Sequence, residues 1–158
     1  MSYLLDTNVV SELRKGAPDP NVLQWYAGVQ GRQLFLSVLT LGEIRMGVER
    51  ARRKDPVKAA ALEEWLTRLE TAYGDRVVPV DHVVADAWAR MSVPDPLPVI
   101  DGLLAATAVV RNWTLVTRNT GDIGRSGVVI INPFEPRSGV AQAQDHGAGD
   151  EGAEGPQG

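Results

Sequence analysis

Five short apolar runs limit how this chain can fold. They are Tyr3-Leu4-Leu5, Leu34-Phe35-Leu36-Ser37, Val77-Val78-Pro79-Val80, Thr114-Leu115-Val116-Thr117 and Val128-Val129-Ile130-Ile131. None alternates apolar with polar residues, so a strand made from any of them is apolar on both faces. Strands of that kind belong in a parallel sheet covered on two sides. Helical patterns fill the intervals, at 8–13, 20–29, 40–54, 57–72, 82–91 and 101–112. Pro20 suits a helix start. Leu62, Trp65, Leu66 and Leu69 form a stripe at i, i+3, i+4 and i+7. Asp55-Pro56 divides the middle pair of helices, and Tyr73-Gly74-Asp75 ends the second of them. Strand–helix alternation predicts an α/β fold: a mostly parallel, five-stranded sheet flanked by helices.

Length and composition narrow the chemistry. With 158 residues the chain has room for one domain and a core that needs no staple. It has no cysteine, which removes disulfides, thiolate metal sites and thiol nucleophiles. His82 and His146 are the two histidines. No run reaches the ~18–20 apolar residues of a membrane helix, and the first residues lack a basic leader. A cytoplasmic protein without a membrane segment is expected. The domain should occupy residues 1–136, followed by a disordered, Gly-rich, acidic tail at 137–158. That tail has six glycines and Val140 as its one sizeable apolar residue. The net charge of −4 is mostly the tail's, because residues 1–136 hold fifteen basic and sixteen acidic side chains. Bulk charge therefore points to no nucleic-acid partner, and any functional charge must be local.

Four acids stand where strands end or helices begin. Asp6 follows the first run, Glu43 opens the helix after the second, Asp101 begins the helix before the fourth, and Asp122 lies beyond the fourth. Each has an ordinary structural use. Asp6 and Asp101 can cap helices, Thr40 and Glu43 have capping-box spacing, and Asp122 suits a turn. Taken together they read differently. Ligands of parallel α/β sheets bind beyond the carboxyl ends of the strands. Carboxylates gathered there repel unless a cation neutralises them. Hard oxygen donors without Cys suit Mg²⁺ or Mn²⁺. Thr7, Asn8, Ser37, Thr117 and Asn119 lie around the acids, able either to orient carboxylates or to serve as caps and turns.

Four ordered blocks resemble the PIN-domain nucleases, above all the VapC-type toxins. They are Leu5-Asp6-Thr7-Asn8-Val9-Val10-Ser11-Glu12, the stretch from Leu36 to Gly47, the stretch from Asp101 to Ala108, and Leu115 to Asp122 with Ile131-Asn132-Pro133-Phe134. The resemblance spans roughly residues 2–136. It implies a three-layer domain with five parallel strands. It also implies a metal-dependent endoribonuclease, the toxin of a type II toxin–antitoxin pair, held by a VapB-type antitoxin and forming a homodimer. Asp6, Glu43 and Asp101 match the family's core acids, and Asp122 matches its more variable fourth. The three prolines before Asp101 (Pro94, Pro96, Pro98) depart from the pattern without touching a motif residue.

The expected chemistry is hydrolysis of an RNA phosphodiester by water activated on Mg²⁺ or Mn²⁺. Asp6, Asp101, Asp122 and Glu43 would bind the metal and act in catalysis, with Asn8, Thr117 and Asn119 behind them. Arg14, Lys15, Arg45 and Arg118 are candidates for substrate phosphates. The helix at 40–54 also carries Arg50, Arg52, Arg53 and Lys54, which read either as a phosphate-attracting face or as a solvated helix end. Trp65 and Trp88 read as packing residues. Trp25-Tyr26 could stack on bases or meet the antitoxin. Two rivals remain open from sequence: a PIN-like binding module with a decayed site, and an aspartyl-nucleophile phosphatase. The second lacks an Asp-x-Asp pair, since position 8 is Asn. No glycine-rich nucleotide loop is present.

Overall fold

The computed structural model describes residues 1–137. The tail expected at 137–158 lies outside the described residues except for Arg137. Five strands, β1 (Tyr3–Leu5), β2 (Leu34–Ser37), β3 (Val77–Val78), β4 (Thr114–Val116) and β5 (Ile130–Ile131), form one sheet in the order β3-β2-β1-β4-β5. Every pairing is parallel. All five apolar runs therefore become strands, the two edge strands in shortened form. In β3 the ladder stops at Pro79, which has no N–H to donate. In β5 the turn at Gly127 (φ 77°) delays pairing, and Val128 packs into the core instead.

Among the described residues six helices cover the sheet: α1 (Thr7–Arg14), α2 (Pro20–Ala27), α3 (Val38–Arg52), α4 (Pro56–Tyr73), α5 (His82–Met91) and α6 (Val99–Arg111). Side chains alternate across a strand, so neighbours in β1 serve different cores. Leu4 joins Leu115, Leu104, Ala105 and Ala108 on the α6 side. Leu5 joins Val116, Leu36, Val9, Val22 and Trp25 on the side of α1 and α2. Leu4, Leu5, Leu36, Leu115 and Val116 are fully buried, as two covered faces require. Trp25 is buried with its ring edge-on to Tyr3, so it is not free to stack on a base. Trp65 packs on the same core, as expected.

Two features position the future site. The first is the α5–α6 contact. A Cβ on Gly102 would lie 3.0 Å from Trp88 Cδ1 and 3.2 Å from Leu97 Cβ. Glycine there lets α6 seat closely, and Asp101 is the preceding residue. The second is the strand order. Connections from β1 lead to β2 on one side, while β4 and β5 lie on the other. The reversal leaves a crevice between the carboxyl ends of β1 and β4, where ligands of open α/β sheets are held.

Candidate active site

Asp6 and Thr117 stand side by side at that crevice, one residue beyond β1 and β4. Asp6 caps α1 and also faces the crevice. Its Oδ1 accepts from the Thr7 N–H at 2.6 Å. Its Oδ2 accepts from the Thr117 hydroxyl at 2.8 Å. Asn8 Nδ2 donates to Thr117 Oγ1 at 3.3 Å and lies 3.4 Å from Asp6 Oδ2. The Asn119 N–H also reaches Thr117 Oγ1, at 3.0 Å. Thr117 is fully buried and links the two strand ends.

The other acids are tied in by their own donors. Glu43 Oε1 accepts from the Thr7 hydroxyl at 2.8 Å, which joins α3 to the start of α1. Asp101 Oδ2 accepts from Asn119 Nδ2 at 2.7 Å, which joins α6 to the loop after β4. Asp122 is exposed at the rim, 4.0 Å from Arg125. Burial pushes the Asp6 carboxyl above the usual carboxylate range. The Thr117 and Thr7 hydrogen bonds pull it back, and the charges of Asp101 and Glu43 push it up again. Burial also raises Asp101, the Asn119 bond opposes this, and Asp122 adds repulsion. The four acids thus share one field, which no cation among the described residues neutralises by direct contact with Asp6, Glu43 or Asp101.

Two sequence expectations change here. Thr40 and Glu43 do not form a capping box, because α3 begins two residues before Thr40. Ser37 is its cap, accepting from the Leu39 N–H at 3.0 Å. The Thr40 hydroxyl is buried without a partner, and Glu43 is turned to Thr7. Asp101 is not an N-cap either, since α6 begins at Val99 and Asp101 lies in its first turn. That position still places a carboxylate at the positive end of the helix.

The candidate cations are scattered. Arg118 lies over the Phe134 ring (3.7 Å), and its N–H donates to Asn8 Oδ1 at 3.2 Å, beside the rim. Lys15 pairs with Glu12 at 2.6 Å, and Arg14 lies over Trp65. Arg45 turns away from Glu43 and bonds Glu63 on α4 at 2.8 Å. Residues two apart on a helix face different ways. Glu12, not singled out as a functional candidate, is buried and accepts from the Asp19 N–H at 3.0 Å. It fixes the start of α2. An acid in a capping run gives no sequence sign of such use.

Carboxylate oxygens without sulfur or imidazole fit a hard divalent cation. Repulsion among them is the electrostatic reason such an ion would be welcome. In the arrangement described, no three acidic or imidazole side chains among the described residues close on a common point. Each acid is held instead by hydroxyl, amide or backbone donors. Among the described residues no helix is long and apolar enough to cross a membrane.

Comparison with known proteins agrees with the fold. The PIN domain family model matches residues 3–124. The VapC ribonuclease Y4jK of Sinorhizobium fredii is 35% identical over 140 residues, covering 84% of this chain and 98% of that protein. The toxin FitB of Neisseria gonorrhoeae is 31% identical, covering 83% and 97%. Among solved structures, FitAcB from Neisseria gonorrhoeae superposes with a TM-score of 0.75 at 31% identity, covering 84% of this chain and 98% of that one. VapBC2 from Rickettsia felis, solved with a promoter DNA fragment, shares the fold at 20% identity with a TM-score of 0.65. With a family model over most of the described residues and the crevice geometry in place, this chain belongs to the PIN-domain family.

Proposed function

We propose that the chain is a metal-dependent endoribonuclease, the toxin of a VapBC-type pair, acting in the cytoplasm and restrained by a VapB-type antitoxin. The observation that carries this reading is the acidic rim of the β1/β4 crevice, where burial raises Asp6 with Asp101 and Glu43 adding to it, and burial raises Asp101 with Asp122 adding to it. Relatives named as a VapC ribonuclease and a toxin, and a solved VapBC assembly of the same fold, support the substrate class and the partner.

The four acids would hold Mg²⁺ or Mn²⁺. When bound, such an ion supplies charge stabilisation at the phosphate and a more acidic water. The chain's own residues do the positioning. Thr117 and the Thr7 N–H fix both oxygens of Asp6. Thr7 holds Glu43 by Oε1, leaving Oε2 to take the proton from the attacking water. Asn119 steadies Asp101, and Asn8 steadies Thr117. Arg118, at the rim, meets the phosphate. Water adds to phosphorus, the bond to the 3′ oxygen breaks, that oxygen takes a proton from solvent, and a 5′-phosphate and a 3′-hydroxyl result.

One observation favours a second reading, an inert binding module: no three acids yet close on one point among the described residues. Incubating antitoxin-free protein with total cellular RNA separates the two. Discrete cleavage with Mg²⁺ or Mn²⁺, abolished by EDTA, is expected. Intact RNA under every condition would favour the binding module.

A further inference from the structure

A second charged feature lies outside the acid crevice. Between α1, α3 and the start of α4 is a groove of about 570 Å³, the size of a small-ligand site. Arg14, Arg50, Lys54 and Lys58 line it, over Gly47 and Leu62. Its one acid, Asp55, is occupied in capping α4, where it accepts from the Lys58 N–H at 3.1 Å. Among the described residues, none of the four cations has a carboxylate partner within 4.0 Å. The contrast within α3 is sharp. Arg45 and Arg52 are both engaged by Glu63, whereas Arg50 faces the groove unpaired. Arg14 is braced in place by the Trp65 ring, 5.2 Å away.

The groove and the acids share one helix face. Glu43, Gly47 and Arg50 follow one another at spacings of four and three, the stripe of a single α-helical face. Arg50 is seven residues from Glu43, or ~10 Å along the axis. Lys54 extends the line into the turn after α3. Gly47 leaves this lane open, because a Cβ there would meet nothing within 4 Å. A glycine inside a helix costs roughly 1 kcal/mol relative to alanine, and no packing contact here calls for one.

We propose that this groove binds backbone phosphates of the RNA strand flanking the bond cut at the acids. The inference rests on the nuclease reading and adds the path of the strand. Four unpaired cations in a groove match a polyanion rather than a small neutral ligand. The groove's Arg50 stands ~10 Å along α3 from Glu43, a separation that neighbouring phosphates of one strand can bridge. Contacts to phosphate carry no base preference, so an RNA of any sequence reports on them.

The test uses full-length, antitoxin-free protein and a fluorescein-labelled oligouridylate of about 12 nucleotides, within the range one groove can engage. Binding is followed by anisotropy in EDTA across a salt series. Cleavage of total RNA with Mn²⁺ is measured in parallel. The double variant Arg50→Gln with Lys54→Gln should bind at least ~10-fold more weakly at low salt, with the salt slope smaller by about 1.4, as loss of two single-strand phosphate contacts requires. Gly47→Glu should weaken binding similarly while keeping the fold. Arg53→Gln, which removes a charge from the same helix end without lining the groove, should bind like the parent.

Equal binding and slope for Arg50→Gln/Lys54→Gln and Arg53→Gln would overturn the groove. If the parent still cleaves RNA in that case, the nuclease reading stands without it. A parent that binds an oligoglutamate of matched charge but no RNA would overturn the proposal in favour of a protein partner.

Discussion

Charge is handled in opposite ways at two places in this molecule. On the α3–α4 hairpin, Arg45 and Arg52 close on Glu63 with Glu49 nearby. The Arg45 hydrogen bond holds the Glu63 carboxyl below its ordinary range, and Glu63 in turn raises Arg45. At the β1/β4 crevice, like charges gather instead. Asp6 is buried and pushed up, with Asp101 and Glu43 adding to the push. The hairpin arrangement serves the free protein. The crevice arrangement opposes it, since a raised carboxylate means that its charged form is disfavoured on folding. Side chains kept where they weaken the fold are the pattern expected of a functional site.

The largest effect expected from breaking this contrast is on activity. Asp101→Asn keeps the Asn119 neighbourhood nearly isosteric but removes a charge, and RNA cleavage should fall by at least ~100-fold, as for loss of a preorganised electrostatic group. A gel assay with matched amounts of protein measures it. Next comes Gly102→Ala. The new methyl meets Trp88 and Leu97 at little over 3 Å, so denaturant unfolding should show a loss of about 1–3 kcal/mol from overpacking. Cleavage should fall as well, because α6 carries Asp101.

Asp6→Asn should do the reverse for stability. The folded pKa of Asp6 is raised, so the native state holds its proton to higher pH than the unfolded chain does. The penalty is absent below the unfolded value, grows as pH rises from the unfolded value to the folded one, and is complete above the folded one. The variant should melt a few degrees higher than the parent at pH 7, an ordinary gain for neutralising a functional acid. The gain should vanish in acid. Equal melting temperatures at both pH values would remove the argument from burial. The smallest effect is expected from Glu63→Gln: hairpin ion pairs are exposed and screened, so melting should shift least of the four variants and cleavage should stay near the parent's.

Much of this was legible in the sequence, for definable reasons. The strands were found because five runs lacked alternation, and burial on both faces explains why. The positions of Asp6 and Glu43 followed from the strands that precede them. What pattern could not show was direction. Thr40 and Glu43 had capping spacing, but Ser37 took the cap and freed Glu43 for Thr7. That contact joins residues 36 apart, and only the packing of α1 beside α3 brings them together. Trp25 read as able to stack on a base or meet a partner, yet it packs against Tyr3. Arg45 looked close to Glu43 in sequence, while helix geometry sends it to Glu63. The groove cations come from three helices and the turn between two of them, so no single stretch displayed them together.

On the proposed function, repulsion at the crevice is held in store for a divalent cation. Thermal melting of the parent and of Asp6→Asn at pH 7, with and without millimolar Mn²⁺, tests it most directly. A ligand that binds only the folded state raises the melting temperature in step with its occupancy. Mn²⁺ should stabilise the parent strongly and Asp6→Asn little, so that the metal narrows or reverses the variant's advantage. A parent whose melting temperature is indifferent to Mn²⁺, or an Asp6→Asn protein that gains as much from it, would contradict the account.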